Sequence, residues 1–354
     1  MKGSIITRGI RLGLVSLLTV MTATASACSP TGSPDIKSPA ASNTPAASNT
    51  PAVSNTPVVK DTLQGKIAIS GAFALYPMMQ KWAEEFQKLH PNVQIDISAG
   101  GAGKGATDAL GQLVDIGMVS RDITQSEIDK GGFYVTSVKG AVVPVVNANN
   151  PFIKELMTRG ITHDEFVTIW VNGTITDWKT LFPGSTVTGN TAIKIYNRSD
   201  ACGAGDTWAK YLGKKQEDLL GIGINSDPGI TEAVAKDPLG TGYNNIGYGY
   251  DQTTGKVVSG INIIPIDINA NGKIDPDEAF YDTRDKIVAA IGSGTYPPVL
   301  ANDLNLLTYK QFKGVTYEFV KWIMTDGQKY VLEAGYVPLT KVRLDAQLVK
   351  LGLK

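Results

Sequence analysis

The chain has 354 residues, 42% of them hydrophobic, and its 33 basic residues balance 33 acidic ones. A formal net charge of zero excludes the strong positive field with which a protein gathers nucleic acid or an anionic membrane. The length is enough for two ordinary domains, each with its own core.

The chain opens with Lys2, Arg8 and Arg11, then an apolar stretch, then small residues up to Cys28. That layout predicts a signal peptide over residues 1–27 and export across the cytoplasmic membrane. Ala25-Ser26-Ala27-Cys28 fits a lipoprotein cleavage site with Cys28 acylated, and it also fits an ordinary one. Residues 28–65 read as a tether rich in Ser, Thr, Pro and Asn, with Ser-Asn-Thr-Pro recurring at 42–45, 48–51 and 54–57. Such a composition buries too little apolar surface to offset its ordering entropy. A spacer directly after Cys28 favours a lipid anchor holding a globular body off a surface, outside the cell or in the periplasm. The other cysteine is Cys202, so no disulfide is available within the body.

From Lys66 onward, strands alternate with helices. Short strands read at 66–70, 93–97, 115–119 and 141–146. Pro77 to Leu89 carries Met78, Trp82, Phe86 and Leu89 at helical spacing, and a second helix runs from the glycine-rich segment 99–105 through Leu113. This alternation predicts an α/β fold with ligands at the strand-to-helix turns. Three turns lack bulky polar side chains: Gly71-Ala72-Phe73-Ala74, Gly100 to Gly105, and Ala201 to Gly205 just after Arg198 and Asp200. A helix start offers unpaired N–H groups and the positive end of its dipole, so three converging starts cradle an anion. The second turn is not a P-loop, because Gly105 stands where Ser or Thr must bind magnesium, and its glycine spacing misses the dinucleotide fingerprint.

ISGAFALYPMMQKWAEEF, SAGGAGKGATDAL, VDIGMVSRDI, YNRSDACGAGDTW, NIGYGY and FVKWIMTDGQKYVLEAGYVPL occur in that order between Lys66 and Leu339. In this the chain resembles the phosphate-binding receptors of ABC-type phosphate importers. The resemblance implies an α/β, two-lobed, periplasmic-binding-protein-like (class II) fold with a hinge of crossover strands. The first lobe would comprise 66–146 and 247–354, and the second 147–246. By motif position, ligand contacts fall on Phe73, Ala74, Ala102, Gly103, Ser120, Arg198, Asp200, Cys202, Gly203 and Ala204. Phe73, Ala102, Cys202 and Ala204 stand where that family commonly has hydroxyls, and Ser120 where some members place an acid. The backbone cradle and the Arg198/Asp200 pair survive those changes, with water, Lys104, Arg121 or another helix start as candidate replacement donors. The implied function is a non-enzymatic, monomeric receptor delivering phosphate to a membrane ABC permease. Molybdate or tungstate is the alternative ligand, and an uncoupled, lipid-anchored anion sensor or scavenger the alternative role.

DINANGKIDPDE, residues 267–278, has the twelve-residue spacing of an EF-hand calcium loop. Ligand positions fall on Asp267, Asn269, Asn271, the carbonyl of Lys273, Asp275 and Glu278, with Gly272 at the sharp turn. A strand ending in Ile264-Pro265-Ile266 precedes it where an EF-hand has a helix, and a helix is expected from near Pro276. Without an entering helix there is no helix pair to open, so the loop reads as a structural Ca²⁺ clip rather than a sensor. Catalysis has little support. His90 and His163 sit at helix boundaries, and Cys202, though at a helix start, lies in no cysteine-phosphatase motif.

Overall fold

A computed structural model describes residues 62–354, so the signal segment, Cys28 and all but the last four tether residues lie outside the described part. Strand β1 (Gly65–Gly71), helix α1 (Tyr76–Leu89), strand β2 (Val93–Ala99), helix α2 (Ala102–Leu110) and strand β3 (Ile116–Val119) open the fold. β1 pairs in parallel with both β2 and β3, as strand–helix alternation requires. The long β4 (Gly132–Asn147) follows, then β5 (Ile161–Thr162), β6 (Lys194–Arg198), α3 (Gly203–Tyr211), β7 (Ile222–Ile224), α4 (Asp227–Lys236) and β8 (Gly240–Asn245). β9 (Ile261–Ile263), β10 (Ile266–Asp267), α5 (Arg284–Ser293) and β11 (Ala301–Tyr309) complete the frame. The strand order is β2-β1-β3-β11-β4-β8-β6-β7, with β9 also on β4.

Two hydrophobic cores form along this frame. Ile67, Trp82, Phe86, Met118, Val135, Val138, Leu304, Leu306 and Phe319 belong to the first. Val142, Val145, Trp170, Trp208, Tyr243, Ile287, Tyr296 and Leu300 belong to the second. β4 leaves one core for the other between Val138 and Ala141, and the chain returns through β11 between Leu300 and Leu304. These two antiparallel strands are the crossovers. The sequence-based boundary at 247 is therefore corrected. Tyr250, Ile261, Ile263, Ile266, Phe280 and Tyr281 pack in the second core, so that lobe extends to about residue 300. The chain makes its return where a long buried strand is available, not after NIGYGY. A smaller correction concerns helix ends: Leu89, placed on an apolar stripe by spacing, is exposed, and α2 ends at Leu110 instead of running through Leu113.

The approach of α2 to the sheet depends on glycine. A Cβ at Gly105 would lie 2.4 Å from the Met118 carbonyl oxygen and 2.9 Å from Gly71 Cα, and one at Gly117 would lie 2.2 Å from the Gly105 oxygen. Backbone against backbone sets the depth of α2 and hence the position of its N-terminus. Gly105→Ala therefore forces a backbone shift and should cost about 1–3 kcal/mol. Urea unfolding checks this through a lowered midpoint at unchanged slope.

Candidate functional site

β6 ends at Arg198, whose side chain is only 1% exposed yet carries a full charge. Two carboxylates hold it. The Nε–H and Nη2–H groups donate to the two oxygens of Asp200 at 2.8 and 2.5 Å, and Nη1–H donates to Asp227 Oδ2 at 2.7 Å. Asp227 is itself fixed by the backbone and side-chain amides of Asn245, at 3.1 and 2.6 Å. Asp200 also accepts from the Ser226 N–H at 3.2 Å. Burial opposes the guanidinium charge, but Asp227 and Asp200 outweigh it and raise the pKa above the ordinary arginine value. For Asp200, burial pulls upward and the hydrogen bond from Arg198 prevails, holding the carboxyl below its usual range. A guanidinium has five N–H donors, so one on each terminal nitrogen is left without a partner among the described residues.

The elements around Arg198 come from both lobes. From the first lobe, the Phe73 ring lies against the guanidinium with 5.6 Å from centroid to Cζ. Tyr248 of the second lobe donates to the Phe73 carbonyl at 3.1 Å. Gly103 N–H reaches the Ala201 carbonyl at 3.4 Å, and Lys210 pairs with Asp122 at 3.3 Å. A Cβ on Gly203, the first residue of α3, would sit 1.9 Å from the Ser120 carbonyl oxygen and 2.2 Å from its hydroxyl. The lobes thus meet with α2 and α3 starting at the same seam. Ser120 is 3% exposed, and its hydroxyl has no partner among the described residues.

Helix geometry leaves the first N–H groups of each helix without intrahelical acceptors. At α2 these include Ala102, and at α3 Gly203 and Ala204. Cys202 is different. Its N–H donates to Gln216 Oε1 at 3.3 Å and its sulfur accepts from Gly205 at 3.3 Å, so it caps α3 from within. Its N–H, expected to face a ligand, is engaged elsewhere. Burial pushes the thiol up to about 12, so it is protonated at neutral pH and unsuited to nucleophilic attack. The side chains at the other donor-poor positions turn inward: Ala74 and Ala102 belong to the first core, Cys202 and Ala204 to the second. Ala74 also gives its carbonyl to the Tyr336 hydroxyl at 2.8 Å. Phe73 alone of these is half-buried. The two candidate replacement donors are also occupied, Lys104 by Asp108 and Arg121 by both oxygens of Glu127 at 3.0 and 2.7 Å.

Asp227 was not among the sequence candidates. The signal that could have found it is Ser226-Asp227-Pro228, an N-cap followed by an acid and an early proline, which marks a fourth helix start after a strand.

The calcium-type loop lies apart, on the second lobe. β10 pairs with β5 and delivers Asp267, which accepts from Asn271 and Gly272 N–H at 3.2 and 2.8 Å. Glu278 accepts from Ile268, Asn269 and Asp275 N–H at 2.9, 3.2 and 3.1 Å. Asp275 meets the Lys273 ammonium at 2.5 Å and the amides of Asn269 and Asn271 at 3.1 and 2.6 Å. These partners, Lys273 first, hold the Asp275 carboxyl down at about 2. With the carboxylates turned onto these donors, no group of three or more His, Cys, Asp or Glu converges as a metal set among the described residues. The helix expected near Pro276 begins instead at Arg284, where the Thr283 hydroxyl accepts from Lys286 N–H and caps α5. Phe280 and Tyr281 turn into the core before it.

A two-lobed α/β body with its polar centre at the inter-lobe seam is the architecture of a solute-binding protein. The chain belongs to the PBP superfamily, whose domain model matches residues 45–326. It is 26% identical to the phosphate-binding protein PstS of Methanocaldococcus jannaschii, over 81% of this chain and 85% of that one. It is 28% identical to the PstS of Xylella fastidiosa, over 77% and 81%. Its fold matches an ABC-type phosphate transport receptor from Vibrio cholerae with a TM-score of 0.54, at 21% identity, covering 77% of this chain and all of that one. A Clostridium perfringens substrate-binding protein with bound phosphate matches with a TM-score of 0.63 at 20% identity, over 78% of this chain and all of the other.

Because Gly203 touches Ser120 across the seam, Gly203→Ala should block lobe closure while leaving each core intact. We expect at least about tenfold weaker anion binding, equivalent to ~1.4 kcal/mol, with little change in melting temperature. Isothermal calorimetry beside a thermal melt checks both parts.

Proposed function

We propose that the protein is an extracytoplasmic receptor that binds inorganic phosphate and delivers it to a membrane ABC importer. The observation that carries this reading is the buried Arg198, pinned by Asp200 and Asp227 beside the first residues of α3. Arginine presents paired, planar donors that suit a tetrahedral oxyanion, and helix starts add neutral N–H donors with favourable dipoles. The relatives support it, since each is named for binding or transporting phosphate. Export and Cys28 acylation belong to the same proposal, on the strength of residues 1–65, and a monomeric body is proposed with them. The role is recognition, not catalysis, in keeping with relatives that are receptors and with a protonated Cys202.

The decisive variant is Arg198→Lys, which keeps a charge beside Asp200 and Asp227 but loses the fork. Phosphate affinity should fall by at least the ~1.5–3 kcal/mol of a hydrogen bond to a charged group. Calorimetry with phosphate, molybdate and tungstate measures it. Equal affinity in wild type and variant removes Arg198 from the site, and binding of none of the three removes the receptor reading.

We also propose that loop 267–278 takes Ca²⁺ as a structural clip. The spacing of its oxygens supports this, as does the burial of Asp267 and Glu278 at 2% and 4% exposure. The ion would take the place that the Lys273 ammonium and the asparagine amides now hold at Asp275. Calcium should raise the melting temperature of the wild type, and Glu278→Ala should abolish that rise. A wild-type melting curve that is identical in calcium and in chelator contradicts the clip.

A further inference from the structure

The turn from Arg198 to the start of α3 carries Ser199, Asp200, Ala201 and Cys202, and its backbone is tied on several sides. Ser199 N–H donates to the Ile224 carbonyl of β7 at 3.0 Å, and the Ala201 carbonyl accepts from Gly103 of the other lobe at 3.4 Å. Three further ties converge on one side chain. Gln216, half-buried in a single 3₁₀ turn between α3 and β7, donates its Nε2–H to the Asp200 carbonyl at 2.7 Å. The same nitrogen reaches the Arg198 carbonyl at 3.4 Å, and Oε1 accepts from Cys202 N–H at 3.3 Å. Two carbonyls at one end and an N–H at the other leave the amide one orientation. Helix α3 makes room for it, since a Cβ on Gly205 would lie 2.5 Å from Gln216 Cδ. One amide therefore spans the turn. At one end stands Asp200, whose carboxylate accepts the Nε–H and Nη2–H of Arg198. At the other end α3 begins, with Gly203 against Ser120.

We infer that Gln216 is a positioning residue of the anion site, acting through Asp200 and Cys202 to hold Arg198 and the start of α3 in one fixed relation. This rests on the oxyanion-receptor reading and adds a residue to that same site. The role needs a donor and an acceptor on one side chain, which a neutral amide supplies. Two variants of the full mature protein, titrated with phosphate by calorimetry well below their melting temperatures, test it. Gln216→Met keeps the length of the side chain without the amide, and should bind phosphate about tenfold more weakly than wild type. Gln216→Glu offers the donor only while its carboxyl is protonated. The Arg198 and Asp200 carbonyls face that position, Cys202 adjoins it on α3, and Lys215, Glu217 and Asp218 flank it in the chain. Its deficit relative to wild type, taken at each pH, should shrink at least about threefold as the pH falls from about 8 to about 5. A Gln216→Met affinity within about threefold of wild type overturns the inference, whatever Gln216→Glu does, because the glutamate deficit is then charge alone. A Gln216→Glu deficit that is equal at both pH values overturns it too. Should Gln216→Met not fold, the Gln216→Glu profile decides. A wild type that binds none of phosphate, molybdate and tungstate overturns the receptor reading and this inference with it.

Discussion

The site is organised by one buried cation. Arg198 lies under the protein surface with its guanidinium divided between Asp200 and Asp227. Removing a charge from water is costly, and the arrangement is tolerable only because both carboxylates are close and are themselves hydrogen-bonded. Asn245 fixes Asp227, and the Ser226 N–H fixes Asp200. The consequence is rigidity. The guanidinium cannot rotate away without stranding two buried anions, so its two remaining donors keep one direction.

That constraint explains why so little side-chain chemistry surrounds it. Gly203 must be glycine because its helix start closes on Ser120, and beside it the Gly103 N–H meets the Ala201 carbonyl. The backbone N–H groups at these starts cannot be removed by a side-chain change, while the side chains of Ala74, Ala102, Cys202 and Ala204 fill the two cores. The N–H groups that open α2 and those that open α3 belong to different lobes.

The sequence made much of this legible. Strand–helix alternation announced the α/β fold, and glycine-rich turns after strands located two of the helix starts at the seam. Arg198 and Asp200 stood out because a charged pair before a small-residue helix start has few other uses. What the sequence hid was three-dimensional. Asp227 is nearly thirty residues away from Arg198 and reaches it because β6 and β7 lie side by side, with Arg198 opposite Ile224 just before α4. Lys104 and Arg121 looked available until their partners Asp108 and Glu127 were seen. The lobe boundary was misplaced because a buried strand such as β11 reads the same in either core. Cys202 looked like a ligand contact, yet its amide is bound to Gln216, a contact that spacing does not reveal.

The central claim is that this cleft holds one tetrahedral oxyanion on Arg198 and the helix starts. Native mass spectrometry of the protein purified in phosphate-containing buffer tests it most directly. The account predicts a one-to-one complex with the mass of bound phosphate, lost when Arg198 is replaced by lysine. A protein that stays unliganded in phosphate, molybdate and tungstate alike would contradict it.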